Sequence, residues 1–306
     1  TIRQIKSYQM KIKIGIAPIA WSNDDMPELG GDTPIETCLS EAKEAGYEGI
    51  ELGGKFPRNP GITNFLLNKF KLRMPGGWYG SQLRKRSASE EWAAMQDHLN
   101  LLKTVKGDIF VFADVSSSIQ SDNSKPLSLR PQLEKDEWDN YCNKISEISS
   151  RLYDHGMPMS YHEHMGTIIQ SEDDVNRFME KTNDKTFLLY DSGHLLFAQA
   201  DYSGILKKYI SRINHVHCKD IRKNILEKSL NEDLSFRNSF LEGVFTVPGD
   251  GCIDYKPLVK ILFENQYQDW LVIEAEQDPI KANPFEYAKI GYNYLSSIVS
   301  EIGYEI

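Results

Sequence analysis

The sequence predicts an α/β protein built as one (β/α)8 TIM barrel, a single domain over residues 1–306. Three observations carry that expectation. Short apolar runs of strand length alternate with longer runs of helical periodicity, eight times over, with no long linker between them. The length suits one barrel, a fold that typically takes about 250 residues or more. Four of the later apolar runs end in His, Asp or Glu, and a barrel builds its sites at the C-terminal ends of its strands. The rival, an open doubly wound sheet, would be favoured by a Gly-rich phosphate motif, which the chain lacks.

Taken in order, Ile12 to Ala17 reads as the first strand, and Thr33-Pro34 opens a helix that Gly46 stops. Tyr47 to Leu52 is the second strand and runs into Gly53-Gly54; Lys69 to Met74 reads as the third, followed by a loop from Pro75 to Trp78. Glu90 to Lys103 is helical and Asp108 to Ala113 is the fourth strand. Helix Asp136 to His155 leads to strand Met157 to His164, and helix Asp173 to Lys181 to strand Phe187 to Asp191. Helix Tyr202 to Tyr209 precedes a seventh strand ending in His215-Val216-His217. The segment from about 221 to 246 is polar and irregular, as an active-site loop would be. Helix Tyr255 to Asn265, strand Leu271 to Glu274 and a helix from Pro284 to Val299 complete the chain.

Composition narrows the function classes. A formal charge of -9 argues against a nucleic-acid partner, which a basic face would serve. No apolar stretch approaches the ~18 residues of a membrane span, and Thr1 to Lys13 lacks the apolar core of a signal peptide. Cys38, Cys142, Cys218 and Cys252 show no paired spacing, which suits a reducing, cytoplasmic setting. A homo-oligomer is left open. Arg84-Lys85-Arg86 reads as a solvated loop rather than a phosphate site, and Met157 and Met159 as strand core.

The four strand ends are His162-Glu163-His164, Asp191-Ser192-Gly193-His194, His215-Val216-His217 and Glu274-Ala275-Glu276. Alternate residues of a strand share a face, so His162 goes with His164, His215 with His217 and Glu274 with Glu276, while Glu163 and Cys218 turn away. One imidazole or carboxylate from each strand can converge on one ion. Two His and two carboxylates without thiolate favour Mn²⁺, Co²⁺ or Zn²⁺. Such an ion would polarise a ketone and ease loss of the adjacent proton.

At these residues the chain resembles the xylose isomerase-like barrel superfamily, and within it the inosose dehydratase family. The resemblance rests on Gly15 to Trp21, Asn23-Asp24-Asp25, Pro27 to Pro34, Glu51 to Pro57, Tyr161 to Thr167, Val247 to Gly251 and Ile273 to Pro279. It implies a metal shell of Glu, Asp, His and Glu. Asp191, His217 and Glu274 match the last three positions, and the first falls on His162, with Glu163 and His164 as alternatives. Glu163 could reach the ion only if its strand bulged.

The implied reaction is dehydration of a cyclic polyol ketone, 2-keto-myo-inositol (scyllo-inosose), to a trihydroxycyclohexane-1,2-dione, with Mn²⁺ or Co²⁺ as metal and glutathione as activator. Glu276 and His164 are then candidates for the proton-transfer pair, and Lys55 for stabilising developing charge. Trp21, Asn23, Asp24 and Asp25 on the first loop, with His194 and Lys219, are candidates for binding substrate hydroxyls. The alternatives are a ketose epimerase or isomerase on the same metal site, and a noncatalytic sugar-binding barrel.

Overall fold

The computed structural model describes residues 9–306; residues 1–8, and with them most of the N-terminal segment that lacks a signal-peptide core, lie outside the described residues. The described residues form ten strands: β1 (Lys13–Ile16), β2 (Gly49–Ile50), β3 (Gly76–Ser81), β4 (Ile109–Asp114), β5 (Met159–His162), β6 (Phe187–Asp191), β7 (Ile213–Cys218), β8 (Asp220–Ile221), β9 (Phe245–Thr246) and β10 (Trp270–Ile273). Eight are parallel in the order β2-β1-β10-β7-β6-β5-β4-β3. The ends of that order meet, because Ile50 N–H donates to Arg73 O (2.9 Å) and Leu52 N–H to Gly76 O (3.0 Å). The result is the closed (β/α)8 barrel that the alternation of periods predicts.

Strand alternation sorts the core into two layers. Ile109, Val111 and Leu189 form one cluster and Ala17, Trp270 and Val272 another. Their sequence neighbours Phe110, Phe112, Leu188, Tyr190, Leu271 and Ile273 belong to the main core. Continuing the inner parity upward places Asp191 above Leu189 and Glu274 above Val272. One register shift matters here. Leu188 pairs with Ile213 but Leu189 pairs with His215, so Asn214 is the extra residue of a bulge, and Asp191 comes level with His217 rather than Val216.

The third strand differs from expectation. Residues Pro60–Phe70 form a helix, capped by the Asn59 side chain on Ile62 N–H and ended by Lys71 in the left-handed region (φ 54°). The strand starts at Gly76, in the segment read as a loop. Gly-Gly gives no β signal, but here it allows close packing: a Cβ on Gly77 would sit 2.6 Å from Leu52 Cβ.

The segment read as an irregular insertion is also ordered. It holds helices Lys223–Asn231 and Phe236–Glu242 between the strands of the antiparallel β8–β9 ribbon. Ser235 caps the second helix on Asn238 N–H and Gly243 ends it at φ 95°. The charged outer faces of these short helices masked the buried Leu226, Phe236 and Phe240.

Candidate metal centre and active site

β5, β6, β7 and β10 deliver His162, Asp191, His217 and Glu274 to one point, with one donor atom from each lying within 4.8 Å of the others. His217 Nδ1 is 3.4 Å from both Asp191 Oδ2 and Glu274 Oε1, and His162 Nε2 is 3.6 Å from Asp191 Oδ2. Asp191 Oδ2 and His217 Nδ1 are buried and have no hydrogen-bond partner. Unpartnered lone pairs of this kind facing one another are costly unless a shared cation satisfies them. The residues therefore fit a divalent ion with nitrogen and oxygen ligands.

At the irregular strand end it is His162 that joins this group. Glu163 turns away from the group, as alternation requires: both its oxygens are buried without a partner, and burial pushes its pKa well above the usual carboxylate range. His164 joins a second group with His194 and Glu276.

Glu51, at the end of β2, is a residue the sequence reading passed over. Its Oε1 accepts from His215 Nε2 (2.5 Å) and His217 Nε2 (3.0 Å). Burial would raise its pKa, but His217 and His215 outweigh that and hold it at about 2. With Nε2 engaged by Glu51, His217 presents Nδ1 to Asp191 and Glu274, the arrangement by which an outer carboxylate orients a metal-binding imidazole.

Lys219 is the other surprise. Considered as a substrate contact, it is fully buried, and its Nζ touches Glu276 Oε1 (2.8 Å) and Oε2 (2.7 Å), Glu274 Oε1 (3.0 Å) and His194 Nε2 (3.0 Å). Burial alone would lower its pKa, yet Glu276, Glu274 and Asp191 hold it above the ordinary lysine range. Burial, opposed by Lys219 and reinforced by Glu274, raises Glu276 to about 7. Asp191, Glu274 and Glu276 thus surround one ammonium, an excess of acidic groups that a divalent cation would help to offset.

Above the cluster opens a cavity whose lining includes Asp24, Asp25, Trp78, Gln120, His164, Glu274 and Glu276. Asp24 and Asp25 of the first loop line this cavity, whereas Trp21 and Asn23 do not. The Trp21 ring packs in the core and its indole N–H donates to Glu41 (2.5 Å). Asn23 Oδ1 accepts from the N–H groups of Asp25 (2.9 Å) and Met26 (3.1 Å), shaping the loop instead of facing the cavity.

Lys55 is also elsewhere. The chain turns at Gly53-Gly54, and its ammonium donates to the Gly31 carbonyl in a side pocket with Asn23 and Arg58. His194 and Lys219 stand behind Glu276, outside the cavity lining. Trp78 and Gln120 were missed; Trp78 meets His164 edge-on at 5.3 Å and His162 at 5.7 Å. Cys218 is buried on the outer side of its strand, and Arg84 pairs with Glu137 (2.8 Å).

Residues 39–298 match the family described as xylose isomerase-like TIM barrel. The chain belongs to that family. It is 42% identical over 297 residues to the rhizopine catabolism protein MocC of Rhizobium meliloti, covering 97% of this chain and 91% of that one. It is 41% identical over 287 residues to an inosose dehydratase of Geobacillus thermodenitrificans (strain NG80-2), covering 93% and 96%. A crystal structure of the IolI protein with a zinc atom superimposes with a TM-score of 0.68 at 15% identity, over 96% of this chain and all of that one. At that identity the likeness establishes the barrel alone. Among the described residues no helix is long and apolar enough to cross a membrane.

Proposed function

We propose that this chain is a hydro-lyase that dehydrates 2-keto-myo-inositol to a trihydroxycyclohexane-1,2-dione in inositol catabolism. One observation carries the reading: the unpartnered Asp191 Oδ2 and His217 Nδ1 converge with His162 and Glu274 directly beneath a cavity that His164 and Glu276 line. Its likeness to the Geobacillus dehydratase supplies the substrate. His162, Asp191, His217 and Glu274 hold a divalent cation, Mn²⁺ or Co²⁺ by family resemblance and Zn²⁺ by donor chemistry. A bound cation polarises the ketone and makes the neighbouring C–H more acidic.

The chain's own groups handle the protons. His164 Nδ1–H donates to the Met165 carbonyl (2.8 Å), so Nε2 keeps its lone pair and takes the α-proton. The β-carbon–oxygen bond breaks, and the departing hydroxide leaves as water with a proton from Glu276. Lys219, already in contact with both Glu276 oxygens, balances the carboxylate that results. The enol left behind becomes the diketone. Asp24 and Asp25 accept hydrogen bonds from ring hydroxyls. Glutathione as activator is carried over from the family, with no side chain assigned to it. With its scattered thiols, the protein works in the cytoplasm on a small polyol.

Purified protein supplied with Mn²⁺, Co²⁺ or Zn²⁺ converts scyllo-inosose to a product with diketone absorbance; no turnover with any of the three would defeat the proposal. Asp191→Asn loses the ion by elemental analysis and at least about 100-fold in rate. His164→Gln abolishes exchange of the substrate α-hydrogen with solvent, whereas Glu276→Gln keeps exchange and loses dehydration. The reverse pattern would exchange the two roles.

A further inference from the structure

Gln120 belongs to no motif of the sequence, yet it lines the cavity and is only 6% exposed. Its Nε2 donates to Asp25 Oδ1 (3.1 Å). A carboxylate in that position only accepts, so the orientation of the amide is settled. Its Oε1 is consequently the atom left buried with no hydrogen-bond partner. An acceptor so placed is unfavourable for the protein alone.

The backbone keeps it there. Ile119 N–H donates to Gly166 O (3.0 Å), clasping the loop after β4 to the loop after β5. Gly166 adopts φ +82°, and a Cβ at that position would stand 3.0 Å from Gln120 N. Ser121 Oγ also donates to Asp25 Oδ1 (3.1 Å), so Asp25 and Gln120 form one braced unit. The loops thus hold, in a residue of the cavity lining, a buried acceptor that they do not use themselves.

We infer that Gln120 binds substrate, its side-chain carbonyl accepting a hydrogen bond from one ring hydroxyl of the polyol ketone. The substrate class rests on the dehydratase reading; the hydrogen-bonding role rests on Gln120 itself. A buried acceptor discriminates strongly against an analogue that lacks its donor, because the acceptor is then left unpaired. Gln120 is therefore a specificity determinant for a hydroxylated ring.

The test compares wild type with Gln120→Leu on scyllo-inosose and its monodeoxy analogues. Gln120→Leu raises KM for scyllo-inosose about 10- to 100-fold with a much smaller change in kcat. One monodeoxy analogue is poorer than the parent by a similar factor in wild type and equal to it in the variant. If KM stays within about twofold of wild type, or the discrimination survives the substitution, the inference is overturned. Should Gln120→Leu fail to fold, Gln120→Met is read by the same criteria. Calorimetry with myo-inositol, which has the ring hydroxyls but no ketone, separates the two proposals. Weaker myo-inositol binding in the variant sustains the role of Gln120 even if wild type does not dehydrate scyllo-inosose, and unchanged binding refutes it.

Discussion

Which nitrogen of His217 faces the carboxylates is decided by Glu51, more than 160 residues earlier in the chain. Removing the negative charge while keeping the size tests this. Glu51→Gln keeps one oxygen able to accept from both His215 and His217 but removes the negative charge that draws the two ring N–H groups to it. The His217 ring is then held less firmly in its orientation. Divalent-ion affinity should fall by about 10- to 100-fold, read as the Kd from Mn²⁺ titration followed by magnetic resonance. An unchanged Kd would show that Glu51 does not orient the ligand. The four ligand candidates were legible because each ends an apolar run with inward parity. Glu51 directly follows β2, but it lies inside the run read as a strand to Leu52, so it did not stand out as the polar end of an apolar run. Lys219 was undervalued for a different reason: a lysine after a strand-end histidine reads as the exit to solvent, and only the three carboxylates around it explain its burial. Gln120 left no trace, because its meaning depends on a contact with Asp25.

At the level of elements, helix Gln96–Thr104 packs against β3 through His98, whose Nε2 lies 3.0 Å from the Gly77 carbonyl, between Tyr79 and Phe110. Burial lowers its pKa to about 4. In the unfolded chain an imidazole titrates near 6.5. Between these values the unfolded chain binds a proton that the folded protein refuses, so stability falls as pH drops through this window. The loss is complete below pH 4 and amounts to at most about 3 kcal/mol. His98→Gln retains a donor for Gly77 and removes the titration. Its unfolding free energy, measured in denaturant at pH 7 and pH 4.5, should fall less on acidification than that of wild type. Equal losses would exclude His98 as a source of acid sensitivity. The same contact explains why β3 was hard to read: the strand is specified by close approach of Leu52 and by this helix, not by its own Gly-Gly sequence. Strands such as Phe187 to Asp191, whose β-branched or large apolar residues carry the pattern themselves, were placed correctly from sequence.

For the whole molecule, the barrel sets the ligands and the loops set access to them. Arg237, in helix Phe236–Glu242, reaches two other loops: Nη2 donates to Glu28 Oε1 (2.9 Å) and Nη1 to Ser121 O (3.2 Å). On the same helix Phe236 lies against His164 (5.2 Å) and stacks with His194 (5.9 Å). One side chain therefore ties the first loop, the loop after β4 and the insertion into a single cover over the site. The polar character of the insertion marked it as an active-site segment, but its role as a strut depends on partners more than 100 residues away. A partly exposed ion pair contributes only about 0–1 kcal/mol to folding, so losing it should leave the barrel nearly as stable as before. Gln120 and Ser121 still tie the loop after β4 to Asp25, and Ser128 and Asn123 still tie it to the insertion, so the loss should loosen the cover without freeing it. Arg237→Ala is expected to change Tm by no more than a few degrees. Amide exchange should accelerate in residues 25–30, 118–124 and 223–242, and KM should rise with less effect on kcat, because Asp25 and Gln120 both hang from the loosened loops. Exchange that quickens evenly through the barrel strands would mean that Arg237 supports the fold as a whole and does not selectively hold the cover.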